Sequence, residues 1–344
     1  MENNICVSQK KYQLSIAPML GITNNHFRSF FRLLSKETLL YTEMINSETI
    51  LYSKNRILDY FAEQRPLVLQ LGGSAPLSLG KACEKAKTFD FEEFNLNCGC
   101  PSKKVTDKSF GASLMNDPDK VAQCIYEMNK YLPSSIKCRI GVNKYKEQFL
   151  YDFIDKTSKD GHCTKYIIHS RVAIMGIDTM KNRTIPPLMY DIAYQLKEKY
   201  PMLSFVLNGG IKTLDEVKEH NDRGMPCMIG RAAYDNPWMF RNADSKIYNK
   251  TDNKLSRKEI IYKYADYCDR YIDEYGDKMK NSIYGELIRP LTNIFCGEDN
   301  NKQYKERLYQ ISDEIKTNYN NIREHLYSVV DYYEKLNYNA MNTI

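Results

Sequence analysis

The chain has 344 residues, 42% hydrophobic and 27% charged, with a net charge of +6 and a pI near 8.6. That length is enough for one large domain or two, and the mild basic excess suits an acidic partner without naming one. No apolar run reaches the ~18 residues a membrane span needs, and the N-terminus lacks the apolar core of a signal peptide, so a cytoplasmic protein is expected.

Short apolar runs alternate with amphipathic stretches from the start. LSIAPM (14–19) is followed by a helical pattern at 24–35, for which Asn24 is a suitable N-cap. LLYTEM (39–44), LVLQLGG (67–73) and FEEFNLN (91–97) come next, with a helical stretch at 78–89. After a helix at 117–132, capped by Asp117, the runs continue as SIKCRIG (135–141), KYIIHSR (165–171), SFVLNGG (204–210) and PCMIGR (226–231). Eight strand signals interleaved with helices predict a TIM (β/α)8 barrel. The doubly wound alternative is disfavoured because no G-x-G-x-x-G follows the first strand.

Beyond about residue 255 the texture becomes Tyr-, Lys- and Asp-rich and helical. Ile260, Tyr264, Tyr267 and Tyr271 fall on one face. We therefore expect a barrel domain over 1–240 and a C-terminal helical domain over 241–344. Acidic and basic side chains are equal in number after residue 240. A nucleic-acid surface there would be a local patch.

Ten cysteines spaced irregularly from Cys6 to Cys296 do not form a disulfide framework. Only Cys98 and Cys100 lie close together, and C-x-C without a second pair does not make a zinc site, so no metal is expected. They interrupt the strand EFNLNCGCPS, where Phe94 and Leu96 alternate with Asn95 and Asn97. Residue type alone leaves each thiol open as core filler, ligand or acid–base group.

In a parallel barrel the chemistry lies at the C-terminal strand ends. Those positions carry Met19, Glu43, Gln70, Asn97, Lys137 with Arg139, His169, Asn208 and Gly230-Arg231. NGG (208–210) and GR (230–231), on the last two strands, suit a phosphate group, with backbone N–H donors and an arginine. Gln70, Lys137 and His169 suit the polar edges of a conjugated ring. Together they point to a phosphorylated aromatic cofactor such as FMN.

The motifs APM (17–19), LQLGG (69–73), NLNCGCPS (95–102), FGASLM (110–115), KCRIG (137–141), IHSR (168–171), NRTIPPL (182–188), NGGI (208–211) and GRAAYDNP (230–237) resemble those of tRNA-dihydrouridine synthases. The similarity is greatest to the bacterial class acting on D-loop positions 20 and 20a, and it spans roughly residues 12–310. The resemblance implies FMN as cofactor, NADPH as reductant, and a barrel followed by a tRNA-binding helical domain; a monomer is expected. It implies FMN contacts at Pro18, Met19, Leu20, Gln70, Lys137, His169, Asn208, Gly209, Gly210, Gly230 and Arg231. Cys100 would be the catalytic thiol and Cys98 incidental. Asn97, Lys181, Arg183, Lys302 and Lys305 would meet the tRNA. The chain departs from the family in a shorter loop after IHSR, with Ile174 near the place of a common tryptophan. It also has Asn301-Lys302 where the family has G-A-R.

Two other readings compete. An FMN barrel could act on a free pyrimidine-like metabolite, since fold alone does not fix substrate; the helical domain and the basic residues favour RNA. A non-catalytic tRNA-binding or tRNA-folding protein would have no use for Cys100, Lys137 and His169.

Overall fold

The computed structural model describes residues 12–53, 57–275, 283–317 and 322–341. By its contacts the chain divides into two compact units. One takes the residues up to Thr23 together with Thr38–Gly230; the other takes Asn24–Glu37 and everything from Arg231 on.

In the first unit, eight parallel strands follow one another around a ring. They are β1 (Leu14–Ile16), β2 (Leu40–Tyr41), β3 (Leu67–Gly72), β4 (Phe94–Cys98), β5 (Ser134–Arg139), β6 (Lys165–His169), β7 (Ser204–Asn208) and β8 (Cys227–Ile229). β8 pairs with β1, and the ring closes between β1 and β2 through Ile16 N–H to Leu39 C=O (2.9 Å) and Leu39 N–H to Leu14 C=O (3.1 Å). The architecture is a TIM barrel, and each strand falls on a run picked out by its composition, with β4 and β5 reaching one residue beyond theirs at Cys98 and Ser134.

Alternation fixes which side chains face inward. Ala17, Leu39, Tyr41, Val68, Ile167, Val206 and Met228, from β1, β2, β3, β6, β7 and β8 or the residues next to them, pack into one cluster. They fill the barrel as branched residues usually do. On β3, β6 and β7 the residue two further along is Gln70, His169 or Asn208, so the same face that packs the core ends polar at the mouth. Across β4 and β5 the interior is polar throughout: Asn95 is 0% and Ser135 1% exposed. An unpaired amide buried this way would cost roughly 1–3 kcal/mol, so these groups have to find partners, and they do.

The helices flanking the barrel start where their caps allow. Asp117 accepts from Lys120 N–H at 3.1 Å to open Pro118–Asn129. Thr213 and Glu216 form a reciprocal capping box at the start of Leu214–Asp222.

In the second unit, Asn24 caps Asn25–Arg32 by accepting from Phe27 N–H at 3.0 Å. Phe30 of this helix meets Tyr264 edge-on, at 5.8 Å between ring centroids. Helix Arg257–Tyr275 buries Ile260, Tyr264 and Tyr267 of the face its spacing predicts, while Tyr271, towards its end, is only half-buried. His26 Nδ1 lies 2.8 Å from Tyr267 OH. Asp244 gathers Ser35 Oγ (2.5 Å) with the N–H groups of Lys36 (2.8 Å) and Glu37 (3.2 Å), tying the segment after that first helix to the rest of the unit. Helices Asn301–Thr317 and Ile322–Met341 add Tyr304, Leu308, Ile311, Leu326 and Val330 to the apolar interior.

Candidate active site

The site grows out of the end of β4. Phe94, Leu96 and Cys98 are fully buried. Cys98 pairs in register with Cys138 of β5, and its thiol is pushed far up by burial, with Cys138, Cys124 and Cys163 adding to the effect. This thiol is core. Two residues later Cys100 is half-buried at the mouth.

The chain turns between them because Asn97 bends it. Its Oδ1 accepts from Gly99 N–H (2.9 Å) and Cys100 N–H (3.1 Å), an Asx turn. Asn97 Nδ2 donates to Met44 Sδ at 2.9 Å, which leaves one N–H for another acceptor. A second restraint comes from the FGASLM segment, where Ala112 N–H donates to Cys100 C=O at 2.9 Å. Gly111 has φ +72°, and a Cβ there would sit 2.6 Å from Cys100 O, so only glycine allows this approach. The third restraint is Arg139, whose Nε donates to Gly99 C=O at 3.3 Å.

Arg139 also joins this turn to the loop after β6. Its Nη1 donates to the carbonyls of Val172 and Asn182, each at 3.2 Å. Asn182 is wholly buried and staples the loop through both atoms of its amide, with Ile174 N–H and C=O each at 2.8 Å. On either side of it Lys181 and Arg183 are exposed. Sequence reasoning marks Arg139 only as a strand end and passes over Asn182. Its place in NRTIPPL was the available signal.

Around the mouth stand Gln70, Lys137, His169 and Asn208. Lys137 Nζ donates to Asn208 Oδ1 at 2.9 Å, and Asn208 Nδ2 donates to Met228 C=O at 2.8 Å. Lys137 has no carboxylate partner among the described residues. Burial, reinforced by the Arg139 charge, pulls its ammonium down to about 7. Burial likewise holds His169 well below the usual imidazole range, with Arg139, Lys137, Arg171 and Arg183 acting in the same sense. Arg139 itself is lowered to about 10 by burial, with Arg183 next in effect. Burial first, and the neighbouring cations second, disfavour charge on these groups, and an anionic group placed among them would favour their charged forms.

The glycines of β7 supply the rest. Gly209 (φ +111°) and Gly210 (φ +77°) take conformations open mainly to glycine, and a Cβ on Gly209 would lie 2.6 Å from His169 Cδ2. Tyr190 OH donates to Gly209 C=O at 2.5 Å and holds the turn from behind. Gly230 differs, since the nearest atoms to an added Cβ are Ala17 Cβ at 3.8 Å and Met19 Sδ at 4.0 Å. The protein leaves room for a methyl there, so the missing side chain keeps a backbone face open. Pro18, Met19 and Leu20 follow β1 in a turn closed by Met19 N–H to Thr23 Oγ1 (2.9 Å), with Leu20 75% exposed.

The first unit therefore brings Pro18, Met19, Leu20, Gln70, Asn97, Cys100, Lys137, His169, Asn208, Gly209, Gly210 and Gly230 to one end of the barrel. Arg231 begins the second unit, its carbonyl accepting from Tyr234 N–H (2.9 Å) and Asp235 N–H (2.8 Å). Lys302 and Lys305 stand on helix Asn301–Thr317 of that unit. The Lys302 side chain is 86% exposed, 3.9 Å from Glu306, and Lys305 is half-buried.

A family model described as dihydrouridine synthase matches residues 15–330. A protein of Synechocystis sp. named tRNA-dihydrouridine(20/20a) synthase is 38% identical over 301 residues, covering 86% of this chain and 88% of its own. One of the same name from Escherichia coli is 36% identical over 324 residues, covering 93% and 96%. Among solved structures, a 2-naphthoyl-CoA reductase in complex with 2-naphthoyl-CoA aligns with a TM-score of 0.51 at 10% identity, over 67% of this chain and 49% of that one. That last likeness concerns the fold alone. With a barrel of this topology and a family match running almost its whole length, the chain belongs to the dihydrouridine synthase family.

Proposed function

We propose that this chain is an FMN- and NADPH-dependent synthase that reduces the C5=C6 bond of D-loop uridines in tRNA, at the positions 20 and 20a carried in its relatives' names. The observation that carries the reading is the Cys100 turn. A half-buried thiol is held by Asn97, Ala112 and Arg139 at the same mouth as Lys137, His169 and the two left-handed glycines.

The residues suit FMN. Gly209, Gly210 and the open backbone at Gly230 would take the phosphate, with Arg231 as a further cation. Gln70, Lys137, His169 and Asn208 would take the ring, beside Pro18, Met19 and Leu20. When bound and reduced by NADPH, FMN would supply the hydride that C6 of uracil receives. The protein's share is the proton at C5. Cys100 Sγ–H gives it as general acid, a role that needs the protonated thiol. The remaining N–H of Asn97 is available to a uracil carbonyl. The target base must leave its stack to reach this mouth. Lys181 and Arg183 beside it, with Lys302 and Lys305 on the second unit, would contact phosphates. A tRNA substrate agrees with a cytoplasmic enzyme.

Mapping dihydrouridine in total tRNA from cells with and without this protein tests the reading. Loss of the modified base at 20 and 20a is the expected result, and an unchanged map overturns it.

A further inference from the structure

On the β4 and β5 side of the barrel interior, buried polar groups form one directed chain of hydrogen bonds. The chain starts at Glu93, just before β4. Its carboxylate pairs with Lys165 Nζ at 2.8 Å and accepts from Tyr41 OH at 3.2 Å. Ser135 Oγ donates to Glu93 Oε1 at 2.8 Å. Asn95 Nδ2 donates to Ser135 Oγ at 2.8 Å, and Gln70 Nε2 donates to Asn95 Oδ1 at 2.7 Å. The three strands make this continuous, because Asn95 is in register with both Gln70 and Ser135.

The direction of the chain is forced from its charged end. An ion-paired carboxylate only accepts, so the single Ser135 hydroxyl proton goes to Glu93. The Ser135 lone pairs then face Asn95, which must present its amide nitrogen there and its oxygen to Gln70. Gln70 must answer with its own nitrogen. An amide that could sit either way round is thereby set one way, with its oxygen turned out of the chain. That oxygen accepts no hydrogen bond from any described residue.

We propose that Glu93, Ser135 and Asn95 are positioning residues that present Gln70 Oε1 as an obligate acceptor at the mouth, selecting a ring whose edge carries an imide N–H. Oxidised flavin has such an edge at N3, so the inference rests on the FMN reading and deepens it. Asn95 and Ser135 lie in the closed interior and act only through Gln70. Were the chain simply a way of filling the barrel, its loss would lower stability and leave ligand selectivity alone.

The test titrates flavin-free protein with FMN and with FMN methylated at N3, following flavin fluorescence. The wild-type protein is expected to prefer FMN by about 10-fold, the scale of one hydrogen bond left unmade in a buried site. Ser135→Ala frees Asn95 and Gln70 to turn, and the preference should fall towards one. Ser135→Thr keeps the hydroxyl and should restore it. Circular dichroism checks that each variant is folded. Equal binding of the two flavins by wild-type protein overturns the proposal, needs no variant, and leaves the FMN reading standing. A preference that survives Ser135→Ala in folded protein also overturns it, because the selectivity would then be steric. Wild-type protein that binds neither flavin overturns the FMN reading and the proposal with it.

Discussion

Replacing Asn97 separates two things that residue could do, hold the Cys100 turn or read the substrate. Its Oδ1 takes two backbone N–H groups, at 2.9 and 3.1 Å. At about 0.5–1.5 kcal/mol net for each hydrogen bond, Asn97→Ala removes ~1–3 kcal/mol from the conformation that presents the thiol. Arg139 and Ala112 still hold Gly99 and Cys100 from the other side. The turn should therefore loosen without the barrel unfolding. Since about 1.4 kcal/mol is tenfold, dihydrouridine formation should drop ~5- to 150-fold. Asn97→Asp keeps an acceptor for both N–H groups but cannot donate to Met44 or to a uracil carbonyl. The assay follows pre-reduced flavin as tRNA reoxidises it in a single turnover, with FMN affinity and NADPH oxidation as controls that neither change should move. A large loss in Asn97→Ala with near-normal Asn97→Asp assigns the residue to the turn. Equal losses in both assign it to the substrate as well. Wild-type reoxidation in Asn97→Ala would refute the claim that this turn presents the catalytic thiol.

Cys100→Ala should bind FMN and accept electrons from NADPH yet form dihydrouridine at least ~10²-fold more slowly, the usual scale for one general acid; Cys98→Ala should show only a lower melting temperature. Lys137→Met should lose most FMN affinity. Because the Lys137 ammonium is pulled down to about 7 against an ordinary 10.5, the unfolded chain binds more protons between those values. Burial of this group should thus make flavin-free wild-type protein gain stability from pH 7 to 10 relative to Lys137→Met, while its FMN affinity falls over the same range. Thermal melts and flavin titrations across that range check both signs. The double change Lys302→Ala with Lys305→Ala should weaken tRNA binding and leave NADPH oxidation intact. It should also shallow the log–log salt slope by ~0.9 for each phosphate no longer neutralised, taking duplex DNA as guide.

The barrel was legible in the sequence because strand period and interior packing are local signals. Val68 with Gln70, Ile167 with His169 and Val206 with Asn208 each read as an inward face that turns polar at its end. The buried face of helix Arg257–Tyr275 was legible for the same reason, at helical spacing, and Asn24 and Asp117 announced their helices because a cap is bonded within its own first turn. Parity could not choose between Cys98 and Cys100, which would share a face in an unbroken strand. Tertiary structure separated them. Cys98 closes the strand against Cys138, while Gly111, Ala112 and Arg139, all further along the chain, shape the turn that presents Cys100. The run of hydrogen bonds from Gln70 to Glu93 was hidden too, because its donors and acceptors sit on three strands and become neighbours only when the barrel closes. Helix Asn25–Arg32 follows the first strand, yet it packs with the second unit. A sequence pattern shows that a face is apolar or that a side chain can bond, since period and residue type are properties of one segment. The partner belongs to another segment, and only the folded chain brings it within reach.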